Sequence, residues 1–210
     1  MIGTLVRAAS GAVGLGLAGA IGVIDLVRRA PKPLHPRGTV WRAELVRDGT
    51  DLPTGVPWLD DAGSEAAVVR ASAAIGLPRG WPDIRGVAVH LPERDADLLF
   101  ASTGSGPWSR FVLRFVGPHT EHLASTLLPY RGPFGPVVLA VVRLDERRFG
   151  LLCAQGTGPW MPFGRLWLVE QLDRELSFDP VLRPLPGLPN HRWVEALRAP
   201  AYRTARRSRT

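Results

Sequence analysis

Short runs of alternating apolar and polar residues, separated by glycine and proline, fill the chain from residue 39 onward. Residues 39–46 (TVWRAELV) alternate, and a turn signal at Arg47, Asp48 and Gly49 follows them. Alternation of this kind is typical of strands that bury one face. Comparable runs predict strands at residues 66–69, 86–91, 97–100, 111–116, 137–143, 149–154 and 165–169. The spacing of these strands predicts an antiparallel β-barrel or sandwich.

The two ends of the chain depart from this pattern. Residues 192–209 have helical character, interrupted by Pro200, and residues 182–189 (LRPLPGLP) predict an extended linker before them. Residues 8–24 form an uncharged, glycine-rich stretch. Three interpretations of that stretch remain open: a helical arm that packs on the body or on a partner, a segment that lies on a membrane surface, and a true span or signal.

Composition narrows the class of protein. Twenty-three glycines and 20 prolines among 210 residues exclude a bundle of long helices. The single cysteine, Cys153, excludes an internal disulfide framework and a cysteine-based zinc site, and it favours a cytoplasmic location. The net charge of +7 rests on arginine, since Lys32 is the only lysine, and six arginines lie between residues 192 and 210. Such a tail is typical of solvated charge or of attraction to nucleic acid.

Several motifs, in order along the chain, resemble those of the haem catalases. Residues 33–38 (PLHPRG) precede a strand with Glu-Leu-Val, much as the family's distal-histidine strand begins with His-Ala-Lys-Gly. Residues 69–72 (VRAS) resemble the family's Val-Arg-Phe-Ser. Residues 83–89 (DIRGVAV) are very similar to its Asp-Val-Arg-Gly-Phe-Ala-Val. Residues 97–99 (DLL) stand where the family has Asp-Leu-Val.

The second half of the chain continues the resemblance. Residues 162–166 (PFGRL), 178–180 (FDP) and 185–187 (LPG) are similar to the family's Pro-Val-Gly-x-Leu and Phe-Asp-Pro…Val-Pro-Gly. Residues 198–209 keep the family's Arg-x-x-x-Tyr-x-x-x-x-Arg-x-Arg spacing around the tyrosine that ligates haem iron. The resemblance covers residues 32–209, with most loops shorter than in full-length catalases.

The resemblance implies an α+β fold: a catalase-like antiparallel β-barrel with short flanking helices, a glycine-rich N-terminal arm and a C-terminal helix. The implied boundaries are an arm at residues 1–31, the barrel at residues 32–191 and a basic helix at residues 192–210 that carries the haem-ligand tyrosine. Nucleic acid is then not expected as a partner, because the C-terminal arginines have a role beside haem. Full catalases form tetramers that interlock through their N-terminal arms, so the resemblance leaves a homo-oligomer open; because most loops are shortened, a dimer or a monomer is an equal alternative.

The resemblance also implies a haem b cofactor, with iron as its metal, and a residue set around it. On the proximal side Tyr202 would ligate the iron, and Arg198, four residues earlier, would favour the ionised tyrosine. Arg209, seven residues after Tyr202, would pair with a haem propionate.

The distal side draws on residues near the first two strands. His35 would move a proton between the oxygens of a peroxide, and Ser72 would hold it through a hydrogen bond. Lys32 and Arg70 fall where the family has propionate-binding arginines. The interpretations without haem are a strand-entry histidine for His35 and a structural ion pair for Arg70.

One position departs from the family pattern. Catalases have Asp-Leu-Val-Gly-Asn-Asn-Thr, whereas residues 97–103 of this chain are DLLFAST. Ala101 therefore replaces the distal asparagine that orients peroxide. We expect weak dismutation of hydrogen peroxide, and we expect organic-peroxide reduction or another peroxide-dependent oxidation to tolerate the change better.

Other clusters carry weaker signals. His119, Glu121 and His122 form an H-x-E-H sequence without the spacing of a zinc-binding helix, and a solvated loop is the default interpretation. Six of the tryptophans are predicted to lie in the core or in a pocket wall: Trp41, Trp58, Trp81, Trp160, Trp167 and Trp193.

Three functions follow, and the motifs favour an enzyme. The first is a small catalase-like haem protein, a peroxidase or another peroxide-using oxidoreductase. The second is a barrel that has lost catalysis and binds haem or a hydrophobic ligand such as a lipid. The third is a haem-free hydrolase, for example a phosphodiesterase.

Overall fold

The alternating runs form antiparallel strands in the computed structural model, which describes residues 37–73, 80–117, 120–174 and 176–196. The strands are β1 (Arg37–Arg47), β2 (Gly63–Ala73), β3 (Arg85–Leu91), β4 (Ala96–Thr103), β5 (Leu123–Ser125), β6 (Tyr130–Gly132), β7 (Gly135–Arg143), β8 (Arg148–Gln155) and β9 (Met161–Leu172). A short helix, α1 (Pro57–Asp60), follows β1, and 3-10 turns lie at Pro92–Arg94 and Ser109–Phe111. Residues 192–196 are helical. Across the described ranges, no helix has both the length and the apolar character to cross a membrane.

Eight of these strands close into a barrel. β1 to β5 pair in sequence order, β9 pairs with β1, and β8 and β7 continue the sheet. The pairing of β5 with β7 closes the circle, and β6 is an additional strand on the beginning of β7. Each of these strand pairs is antiparallel. The predicted antiparallel barrel is confirmed.

The core fills the inside of the barrel. Every second residue of a strand points inward, so that Leu45, Val69, Val89, Leu139 and Leu166 meet there with almost no exposed surface. Full burial of such side chains stabilises the fold by about 1.5–3 kcal/mol each. The residues between them point outward, and this alternation decides which side chains can form a site on the outer surface.

The predicted strand at residues 111–116 is wrong. The chain forms a 3-10 turn at Ser109–Phe111, and isolated bridges at Leu113 and Val116 replace a strand. The reason lies in Arg110, which is 1% exposed. Its guanidinium donates to the carbonyls of Gly106, Gly156 and Gly158 and stacks 4.1 Å from the ring centre of Trp160, so the segment folds back instead of extending.

The predicted linker at residues 182–189 is also wrong. This stretch forms turns, and Leu185 and Leu188 are buried in the core cluster. Of the tryptophans, Trp58 is buried as predicted, whereas Trp81 and Trp193 are exposed. The predicted arm at residues 1–31 and the C-terminal helix beyond residue 196 lie outside the described residues.

Candidate functional site

The outer face of β1 to β4 carries the described part of the predicted site. Cross-strand pairing aligns Gly38, Ser72, Gly86 and Ala101 in one row, which we call the outer row. These residues alternate with the inward-facing Val87 and Phe100 and their neighbours, so the row lies outside the barrel. The next row on this face contains Val40, Arg70, Ala88 and Leu99.

Arg70 lies directly against the outer row. A Cβ atom built on Gly38 would be 3.0 Å from the guanidinium carbon of Arg70 and 3.0 Å from the carbonyl oxygen of Ala71. Gly38 therefore permits the half-buried Arg70 side chain to fold over the beginning of β1. A planar guanidinium held in this way suits a carboxylate ligand, which it can bind through two parallel hydrogen bonds.

The middle of the outer row has little side-chain volume. Gly86 is buried and has no side chain, and Ala101 beside it carries only a methyl group. The Ser72 hydroxyl lies 3.5 Å from the carbonyl oxygen of Gly86 and stands between Gly38 and Gly86. The result is a flat strip on the barrel surface with a hydroxyl and a guanidinium as its polar groups.

A cavity of about 440 Å³ lies at the Gly38 end of this strip. Gly38, Thr39 and Val40 line it on β1, and residues 171–174 line it at the end of β9. A depression of the same volume lies at Arg42, Glu44 and Glu65, so volume alone does not mark either as a ligand site. Sequence reasoning missed residues 171–174, because the strand was predicted to end at residue 169. No local signal in the sequence indicates that Leu172 pairs with Val40.

Two residues of the predicted set lie in the described part of the chain. Arg70 and Ser72 are described, and they lie on the same outer face of β2. The predicted acid–base residue His35, the predicted ligand Tyr202 and the predicted propionate partners Lys32, Arg198 and Arg209 lie outside the described residues. Their roles remain predictions.

The H-x-E-H segment lies at the end of the barrel where β5 begins. His122 Nδ1 lies 2.8 Å from the carbonyl oxygen of Thr120. Burial lowers the pKa of His122, as do the charges of Arg143 and Arg85, while the contact with Thr120 raises it; the net direction is downward. His119 is outside the described residues, and within the described ranges no group of three metal-ligating side chains occurs.

The described face offers a planar, anionic ligand one cation and little side-chain bulk. Gly38 leaves room for the Arg70 guanidinium, and the buried Gly86 adds no side chain to the strip. Arg70 supplies a cation at its edge for a carboxylate. Ala101 carries only a methyl group, so the row has no hydrogen-bonding side chain at this position.

The fold is similar to that of a solved fungal catalase. The two structures agree with a TM-score of 0.55 at 12% sequence identity, over 82% of this chain and 58% of the catalase. No family model matches the chain, and no curated protein matches it. The likeness confirms the catalase-like β-barrel predicted from the motifs. This chain spans little more than half the length of that catalase.

Proposed function

We propose that the protein binds haem on the outer face of β1 to β4 and uses it in reactions with peroxides, with weak dismutation of hydrogen peroxide. The observation that carries this proposal is the outer row. It joins two glycines, Ser72 and Ala101 in a flat strip beside Arg70, on a catalase-like barrel. Gly38 also lines an open depression between β1 and the end of β9.

Each residue has a role that its chemistry suits. Arg70, with Lys32 and Arg209, would bind the propionate carboxylates through charge-assisted hydrogen bonds. Tyr202 would bind the iron, and Arg198 would favour its ionised form. Ser72 would orient His35, which would accept a proton from one peroxide oxygen and return it to the other. When bound, haem supplies the oxidising chemistry that no side chain can provide.

Ala101 supports a limit on this activity. Its methyl group lies in the same row as Ser72 and offers no hydrogen bond to a peroxide. A site without that contact orients hydrogen peroxide less well, so a protein that binds haem without turnover is the second candidate function. Binding of a single lipid in place of haem and phosphodiester hydrolysis are alternatives that no observation on the described part of the site favours.

Absorption spectroscopy of the full-length protein, produced with haem precursor, tests the proposal. We expect a Soret band with the high-spin ferric pattern of a tyrosinate ligand, and Tyr202→Phe should change that pattern. Arg70→Leu should weaken the affinity for added haemin on the order of tenfold, the loss of one charge-assisted hydrogen bond. Arg42→Leu, which removes an exposed arginine farther along β1, is the matched control and should leave the affinity unchanged.

Activity assays then separate the two candidate functions. His35→Ala should abolish peroxide turnover while haem is retained, and Ala101→Asn should raise the dismutation of hydrogen peroxide without moving the Soret band. A colourless protein that takes up no added haemin would refute the proposal. If the wild type retains haem but shows no peroxide turnover, the second candidate function, haem binding without catalysis, is supported.

A further inference from the structure

One end of the barrel carries exposed apolar side chains. Trp81 precedes β3, Phe115 lies between β4 and β5, and Leu144 follows β7. Their exposed fractions are 63%, 55% and 51%. Because β3 and β5 begin where β4 and β7 end, all three side chains belong to segments at the same end of the antiparallel barrel. We call this end the apolar rim.

The rim segments are in contact with one another. The backbone N–H of Asp83 donates to the carbonyl of Val116 at 3.0 Å, and the reverse bond is 2.9 Å long. This pair brings the segments of Trp81 and Phe115 side by side. The backbone N–H of Arg143, next to Leu144, donates to the carbonyl of His122. Since His122 belongs to the same connection between β4 and β5 as Phe115, this bond links the Leu144 segment to that connection.

Arginines alternate with these apolar residues. Arg85 begins β3, Arg114 is exposed beside Phe115, and Arg143 ends β7. The acidic residues of these segments are Asp83, which is 2% exposed, the partly exposed Asp145, and the exposed Glu121 and Glu146. Two further exposed arginines, Arg147 and Arg148, follow Glu146, so arginines outnumber acidic residues at this end. Aromatic and aliphatic side chains interleaved with arginine are typical of surfaces that lie at the boundary of a lipid bilayer.

The opposite end of the barrel has apolar residues of similar exposure, but its longest connection is acidic. Leu52 and Phe134 are 65% and 66% exposed there. The segment between β1 and β2, residues 48–62, carries four aspartates and neither lysine nor arginine. An anionic surface would therefore be repelled at this end and attracted at the apolar rim.

The chain that precedes β1 reaches the barrel at the apolar rim. Residues 1–37 include five basic residues and one acidic residue, and the uncharged stretch 8–24 lies among them. β1 begins at the same end as β3 and β5. The segment that contains these residues is therefore connected to the barrel at the rim and not at the acidic end.

We propose that the apolar rim docks on the surface of an anionic phospholipid membrane. Trp81, Phe115 and Leu144 enter the boundary between headgroups and acyl chains, and Arg85, Arg114 and Arg143 face the lipid phosphates. The proposal is independent of the proposed haem chemistry, because it concerns other residues and a different ligand.

Vesicle binding of the full-length protein tests the proposal. Large vesicles of phosphatidylcholine with phosphatidylglycerol should bind the wild type, and vesicles of phosphatidylcholine alone should bind it less. The double variant Trp81→Ser and Phe115→Ser should bind on the order of tenfold more weakly, because burial of apolar surface in the bilayer is lost. Leu52→Ser with Phe134→Ser is the matched control and should bind like the wild type.

A second variant separates charge from apolar contact. Arg114→Gln should weaken binding to the anionic vesicles about fivefold, the effect of one arginine near a charged leaflet. The fluorescence of Trp81, taken as the difference between the wild type and Trp81→Phe, should shift to shorter wavelength on vesicle binding. Near-ultraviolet circular dichroism of each variant establishes that its barrel is intact.

Three results would overturn the proposal. One is the absence of binding to anionic vesicles. Another is an equal effect of the two double variants on vesicle binding. If both lose binding equally, or neither loses binding, the apolar rim has no special role and residues 1–36 would account for the binding. The third is tighter binding to a single-stranded oligonucleotide than to vesicles, because stacked aromatic rings and arginines then serve nucleic acid.

Discussion

Cys153 is enclosed completely by the barrel core. Burial raises the pKa of its thiol to about 12, with a further contribution from the charge of Asp60. The thiolate is the reactive form, so we expect no reaction with Ellman's reagent at mildly alkaline pH in the folded protein. The same protein in guanidinium chloride should release one equivalent of the chromophore. Fast reaction in the native state would mean that the core opens locally around β8.

Asp60, the last residue of α1, organises the preceding loop. Its carboxylate accepts hydrogen bonds from the backbone N–H groups of Thr54 and Gly55 and from the hydroxyls of Thr50 and Thr54. Partial burial raises the pKa of Asp60, but the hydrogen bonds outweigh it and the pKa lies below its usual 3.8. A carboxyl whose pKa is depressed by folding stabilises the protein above its unfolded pKa and loses this effect in acid.

The substitution Asp60→Asn tests this contribution. The variant should be less stable than the wild type near neutral pH, and the difference should narrow as the pH falls through the folded-state pKa of Asp60. Urea unfolding at a series of pH values measures both trends. The exposed Asp51→Asn is the control, and a pH-independent difference for Asp60→Asn would contradict the assigned cause.

At the scale of single elements, Gly164 sets the approach of β9 to β1. A Cβ atom at this position would overlap the carbonyl oxygen of Val46 and lie 3.0 Å from the Cα atom of Arg47. Since both neighbours are backbone, Gly164→Ala should destabilise the fold by about 2 kcal/mol or more. Gly106→Ala is the control, because its new methyl group would meet only the Ser109 hydroxyl. Chemical denaturation measures the stability of both variants, and equal losses of stability would contradict the close contact of β9 with β1 at Gly164.

The elements differ in how far their sequences predict them. β7 and β8 are long, rich in valine and leucine, and bounded by turns, and their predictions are confirmed. β5 and β6 have three residues each, too few to form a recognisable period. The strand expected at residues 111–116 is absent because a long-range contact, Arg110 with Gly156 and Gly158, overrides the local pattern.

At the scale of the whole molecule, Asp97 fastens the segment after β9 to the barrel. This fully buried carboxylate contacts His90 Nδ1 at 2.8 Å and accepts hydrogen bonds from Arg183 Nε at 2.8 Å and from the backbone N–H of Asp179 at 2.6 Å. Asp97→Asn should lower the free energy of unfolding by about 2 kcal/mol or more, because the partly buried guanidinium of Arg183 loses its counter-charge.

Limited proteolysis locates the effect of this substitution. In Asp97→Asn, cleavage between residues 176 and 190 should precede cleavage of the barrel strands, and urea unfolding should give the loss of stability. Asp95→Asn is the matched control, because its carboxylate is 79% exposed and lies 4.0 Å from Arg183, at the outer limit of an ion pair. Its cleavage pattern and its urea unfolding should therefore stay near those of the wild type. An equal effect at the two positions would mean that surface charge, and not the buried contact, holds the segment.

The candidate site could be predicted only in part from the sequence. Alternation along β2 is enough to predict that Arg70 and Ser72 share a face, and the motifs indicate that Ala101 belongs with them. The neighbourhood of Gly38 with residues 171–174 depends on the pairing of β1 with β9. That pairing joins residues more than half the chain apart, and no local period specifies its register.

The pairing of β1 with β9 also has a consequence for the order in which the chain matures. During synthesis β1 precedes the other described strands, and Leu172, which pairs with Val40 of β1, follows only after 131 intervening residues. β2 covers one edge of β1 early, while the other edge keeps its backbone groups unpaired until β9 has been synthesised. Nascent chains therefore pass through a long stage with an open strand edge, at which they are exposed to association with one another.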